Sequence, residues 1–93
     1  MPFEWGDDKN TLSTKKHGVN FFEACTVFFD EHEVTFLDNR FHDDEQRFIT
    51  IGMSDQGRLL LVAWTERHTA YRIITAMKAE KKHDNIYRRK QLL

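Results

Sequence analysis

The chain has 93 residues, 40% of them hydrophobic, and a formal net charge of -1. That is enough for one hydrophobic core and hardly two, so a single domain over residues 1–93 is expected and a multidomain enzyme is excluded. A lone cysteine, Cys25, excludes an intramolecular disulfide, and its neighbours Phe21, Ala24 and Phe28 predict a buried thiol in a reducing cytoplasm. The acidic N-terminal stretch lacks the bases and apolar run of a secretion signal, and no apolar segment reaches membrane-spanning length, so neither export nor insertion is expected.

In chain order, Phe3-Glu4-Trp5 is short enough to add at most a minor edge strand. A first helix is expected from Asp7 or Asp8, acids suited to a helix N-terminus, to His17, with Gly18 in the left-handed conformation of a helix end. Asn20 with Glu23 three residues on reads as an N-cap, and Phe21, Ala24, Cys25 and Phe28 fall at i, i+3, i+4 and i+7, predicting a second helix that ends near Asp30. From Val34 the period changes: residues 34–37 predict a short strand, 38–45 a polar loop holding His42, 47–53 a strand, 54–57 a turn, and 59–65 a central strand covered on both faces. A turn over 66–69 leads to a last strand over 71–77, whose alternation puts Tyr71, Ile73, Thr75 and Met77 on one face and Arg72, Ile74, Ala76 and Lys78 on the other. A basic helix over about 79–90 follows, with Ile86 and Tyr87 as its packing residues. The sum is an α+β domain: two N-terminal helices, an antiparallel meander of about four strands and a C-terminal helix, the helices gathered on one side of the sheet.

The small net charge hides an asymmetry. Residues 17–50 hold eight acids against Arg40 and Arg47, or -6, whereas residues 51–93 hold nine bases against four acids, or +5. A basic half of this kind suits phosphate while the acidic half stays clear of it; the alternative is a solvated basic helix.

Four segments carry a family resemblance: Phe3-Glu4-Trp5, Lys16-His17-Gly18-Val19, residues 22–30 (Phe-Glu-Ala-Cys-Thr-Val-Phe-Phe-Asp) and residues 71–79 (Tyr-Arg-Ile-Ile-Thr-Ala-Met-Lys-Ala), followed by a basic tail. Together they resemble the BrnT family, the toxin half of a bacterial type II toxin–antitoxin pair, similar to the RelE group of small ribonuclease toxins. The resemblance implies an endoribonuclease that cleaves RNA without a metal or cofactor and blocks translation. It also implies a cognate BrnA-like antitoxin, a toxin–antitoxin hetero-oligomer, and contact with promoter DNA only through the antitoxin. Glu45 and Arg47 match a Gly-Glu-Glu-Arg-Phe type of segment, which implies an ion pair orienting the site. Departures are Gly6 where Trp-Asp is usual, Ser13 for a frequent Asn, Asp44-Glu45-Gln46 for Gly-Glu-Glu, and Met77 for an arginine.

Metal-free RNA cleavage needs a base for the 2′-hydroxyl proton, cations around the phosphorane and an acid for the leaving 5′-oxygen. The candidate catalytic residues are His17, Arg72, Lys78 and Tyr87. An imidazole titrates near neutrality, so His17 serves either as base or acid or as a helix cap. Arg72 and Lys78 are placed to clamp a phosphate, one as a planar fork and one as a point charge. Tyr87 acts as an acid, stacks on a base or packs its helix. Lys16, Arg47, Lys81, Lys82 and Arg88 are the candidate RNA-binding residues. Trp5 and Trp64 are expected in the core. The histidines at 17, 32, 42, 68 and 83 show no metal-ligand spacing, and no phosphate-binding glycine loop appears. The rival to the nuclease is a non-catalytic adaptor that binds nucleic acid or its antitoxin, its site eroded at Met77.

Overall fold

The computed structural model describes residues 2–40 and 45–92; His42, Asp43 and Asp44 of the expected polar loop lie outside the described residues. The elements are β1 (Phe3–Glu4), α1 (Asp7–His17), α2 (Phe21–Thr26), a 3-10 turn (Val27–Phe29), β2 (Val34–Leu37), β3 (Arg47–Met53), β4 (Leu59–Arg67), β5 (Ala70–Lys78) and α3 (Lys81–Gln91). No helix among the described residues is long and apolar enough to cross a membrane.

Local chemistry explains the helix boundaries. α1 opens on Asp7 and Asp8, closes on Lys15, Lys16 and His17, and stops at Gly18, whose φ of 70° suits glycine and whose N–H donates to the Thr14 carbonyl. The Asn20 side chain accepts from the Glu23 N–H at 2.8 Å, the expected N-cap bond. α2 does not run on to Asp30. It tightens into the 3-10 turn at Val27, after Thr26 turns its hydroxyl back onto the Glu23 carbonyl at 2.7 Å. The tightening drives Val27 fully into the core, a residue that the i, i+3, i+4, i+7 reading omits.

The sheet order is β1-β5-β4-β3-β2. β2 to β5 form the expected antiparallel meander, but β1 joins β5 in parallel, so the sheet has five strands and is mixed. Side chains alternate along β4. Leu60, Val62 and Trp64 face α2 and form a core with Val19, Phe21, Ala24, Val27, Ile73 and Ala76, while Leu61 and Ala63 face the other way with Ile49 and Ile51. The second cluster is packed by Tyr87 of α3, so α3 lies on the face opposite α1 and α2; this corrects the expectation of helices on one side. Ile86 is 40% exposed and is not the anchor expected of it.

The second correction concerns β5. Its pairing with β4 slips between Ala63 and Trp64, which face Thr75 and Ile73, leaving Ile74 as a bulge. The extra residue reverses the alternation, so Ile73 and Ala76 share the α1–α2 core although they are three apart. Arg72, opposite Thr65, and Lys78, opposite Leu60, consequently point to different faces. Trp64 is buried as expected, and its Nε1–H donates to Thr50 Oγ1 at 2.8 Å; Trp5 packs edge-on against Phe21 and Phe22. Cys25 is half-buried, and burial pushes its thiol pKa up to about 11.

Gly52 of β3 lies beneath the 3-10 turn, where a Cβ would come within 3.0 Å of the Val27 side chain and carbonyl oxygen. Gly52→Ala should therefore cost about 1–3 kcal/mol through overpacking, seen as a lower urea midpoint without a change in slope.

Candidate nucleic-acid cleft

Where β3 and β5 end and β4 begins, beside the N-terminal half of α3, a cleft of about 670 Å³ opens. Its walls include Arg58, Lys78, Lys81, Asp84, Tyr87 and Arg88. Four of the nine residues singled out from the sequence, Lys78, Lys81, Tyr87 and Arg88, thus meet in one place. Arg88 is tied to Asp84 on its own helix at 2.9 Å, an exposed pair of the kind that contributes little to stability. Lys82 is exposed on the first turn of the same helix.

Tyr87 is anchored rather than free. Its hydroxyl donates to Asp30 Oδ2 at 2.7 Å, and burial together with that bond pushes its pKa up to about 12. Burial opposes ionisation of Asp30, yet the Met53 N–H, the Tyr87 hydroxyl and the His32 N–H hold its carboxyl below the usual range. Two further bonds, from Lys90 to the Glu33 carbonyl and from Gln91 to the His32 carbonyl, fasten the end of α3 to the same loop. Tyr87→Phe should remove about 1.5 kcal/mol of stability, measured by urea unfolding, because the lost bond is to a charged acceptor.

The other singled-out residues lie elsewhere. Lys16 and His17 line a separate cleft of about 320 Å³ with Lys9, Ser13 and Thr75. Gly18, the next residue, adjoins the first cleft: a Cβ there would come within 4.0 Å of Lys78 Cε and Nζ. Arg72 pairs loosely with Glu4 of β1 at 3.9 Å. It stands six residues up β5 from Lys78, roughly 20 Å at about 3.3 Å per residue, so the two do not close on one phosphate. Arg47 sits across from Thr65 on the Arg72 side of the sheet. The expected Glu45–Arg47 pair is replaced by a bond from Arg67 to Glu45 at 3.1 Å, which holds the Glu45 carboxyl below its usual range with a smaller contribution from the Arg47 charge.

Sequence reasoning missed Glu23 and Arg58 as partners. Glu23 is 3% exposed and accepts from Ser54 Oγ at 2.7 Å, from Arg58 Nε at 2.9 Å and from Arg58 Nη2. Arg58 Nη2 also donates to the Gly18 carbonyl at 3.1 Å. The bond from Arg58 holds the Glu23 carboxyl below its usual range against the opposing effect of burial. The one available signal was an acid within an otherwise apolar helix face, and the N-cap reading absorbed it.

A small mixed sheet between α-helices, with a cleft lined by several cations at the strand ends, defines an α+β domain. Residues 5–83 match the family described as ribonuclease toxin, BrnT, of type II toxin–antitoxin system. The fold also matches the 1.1 Å crystal structure of the Brucella abortus ribonuclease toxin, BrnT, with a TM-score of 0.64 and 18% identity over 87% of this chain and 99% of that one. No curated protein matches the chain. The chain belongs to the BrnT family of ribonuclease toxins. Membership in a type II toxin–antitoxin family implies an antitoxin as partner.

Proposed function

We propose that this chain is a metal-independent endoribonuclease that cleaves RNA in the cytoplasm, blocks translation, and is neutralised by a cognate BrnA-like antitoxin covering its basic cleft. The observation that carries the reading is the meeting of Lys78, Lys81 and Arg88 in one cleft of a chain from a ribonuclease-toxin family. Lys78 and Lys81 neutralise the phosphodiester and the charge that builds on the phosphorane, the step at which fixed cations act most strongly. His17 lines the neighbouring cleft beyond Gly18, so RNA spanning both clefts presents its 2′-hydroxyl to His17, which takes that proton and passes one to the leaving 5′-oxygen. Tyr87 holds α3 in place through Asp30 and offers its ring edge to a base. Lys16, Lys82 and Arg47 attract the RNA backbone from outside the cleft, as charges spread over a surface do.

A second reading is favoured by Met77. It packs with Tyr87 on the sheet face carrying Leu61 and Ala63, an apolar residue where the family pattern has an arginine. That suits an adaptor that binds RNA or antitoxin without cutting. The two readings separate on the product. End-labelled RNA incubated with chelator should yield fragments ending in a 2′,3′-cyclic phosphate or a 3′-phosphate if the chain is a nuclease. Binding without scission would instead establish the adaptor.

A further inference from the structure

The proposed reaction gives no task to the buried Glu23 or to Arg58, yet these two form a tightly held polar arrangement beside the cleft. Arg58 is fixed at three points by Nε and Nη2, on both Glu23 oxygens and the Gly18 carbonyl, while Ser54 steadies the carboxylate from another side. Its Nη1 makes no hydrogen bond within the described residues, its side chain stays 31% exposed, and it lines the same cleft as Lys78. Both cations also converge on Gly18: Arg58 bonds its carbonyl, and the Lys78 ammonium lies 4.0 Å from where a Cβ on Gly18 would stand. A planar guanidinium has five N–H donors in a fixed fork, so it can serve a buried carboxylate with one edge and a second anion with the other.

We infer that Arg58 is a phosphate-binding residue of the cleft, held by Glu23, Ser54 and the Gly18 carbonyl so that Nη1 meets an oxygen of an RNA phosphodiester beside Lys78. This rests on the nuclease reading above, since the cleft must take RNA. Glu23 holds the fork still, and the ordering of that side chain is complete before RNA arrives.

The test is the salt dependence of binding to a labelled single-stranded RNA carrying 2′-O-methyl groups throughout, which removes the attacking hydroxyl and separates binding from cleavage. The parent is compared with Arg58→Lys and with the double variant Glu23→Gln/Arg58→Gln. Neither variant changes the net charge, so a shallower slope reports a lost contact rather than a weaker overall field. One lost phosphate contact on a single strand should reduce the slope of log K against log salt by about 0.7. The double variant should show that loss with its circular dichroism intact. Should it fail to fold, Arg58→Lys, which leaves Glu23 a cation but no fork directed at the cleft, should show the same loss. A folded variant that keeps the parent slope overturns the inference alone. A parent that binds no RNA at any salt overturns the nuclease reading and the inference together.

Discussion

Arg58→Ala should destabilise the fold by about 3–5 kcal/mol, the cost of leaving a buried carboxylate without its cation. Glu23 is 3% exposed, and Arg58 supplies two of its three side-chain hydrogen bonds. Removing Arg58 leaves Ser54 Oγ as the one hydrogen-bond donor to the carboxylate among the described residues, with a weak contribution from the Lys78 charge, whereas Glu23→Gln/Arg58→Gln removes charge and countercharge together and should recover most of the loss. Urea unfolding of the parent and both variants gives the comparison, and equal midpoints for Arg58→Ala and parent would show that the pair is solvated rather than buried. The same pair sets a pH dependence. Glu23 has its carboxyl held below the usual range in the folded state, first by the Arg58 bond. Its contribution is therefore present above the unfolded glutamate pKa of about 4.3 and is lost as pH falls through the lower folded value. The parent should lose stability below about pH 4 more steeply than the double variant, while Asp30 and Asp38, also lowered, act equally in both.

Lys78→Ala should slow RNA cleavage by on the order of a hundredfold, the usual cost of removing one group that stabilises developing negative charge. The effect should fall mainly on kcat, because the surrounding bases Lys81, Lys82 and Arg88 still attract the RNA. Stability should barely change, since Lys78 is exposed and its charge contributes only weakly to Glu23. A comparable loss in both kcat and melting temperature would instead mark Lys78 as a structural partner of Glu23.

Local punctuation made much of the fold legible. Gly18 with φ 70° ends α1, Gly57 with φ 75° sits in the turn between β3 and β4, and Asn20 caps α2 as its spacing with Glu23 implies. β2 and β3 fall on the segments where the apolar period changes. The bulge at Ile74 was not legible, because Arg72-Ile73-Ile74-Thr75 reads as an uninterrupted strand and only the partner strand reveals the extra residue. The site suffered accordingly: a single slip moves Arg72 and Lys78 to opposite faces, since side-chain direction alternates with each residue. The Glu23–Arg58 pair spans 35 positions and leaves no trace in spacing. α3 was recognisable by its charges, but few packing residues mark its face, and Tyr87 rather than Ile86 proved to be the anchor.

The most direct measurement of the central claim is cleavage of end-labelled RNA by the purified, antitoxin-free chain in excess chelator, with Lys78→Ala and Arg72→Ala alongside. Cleavage by the parent is expected, with a loss of about a hundredfold in Lys78→Ala and a much smaller loss in Arg72→Ala, which lies at the far end of β5. No cleavage by folded parent, or loss in Arg72→Ala with Lys78→Ala unaffected, would contradict the central claim.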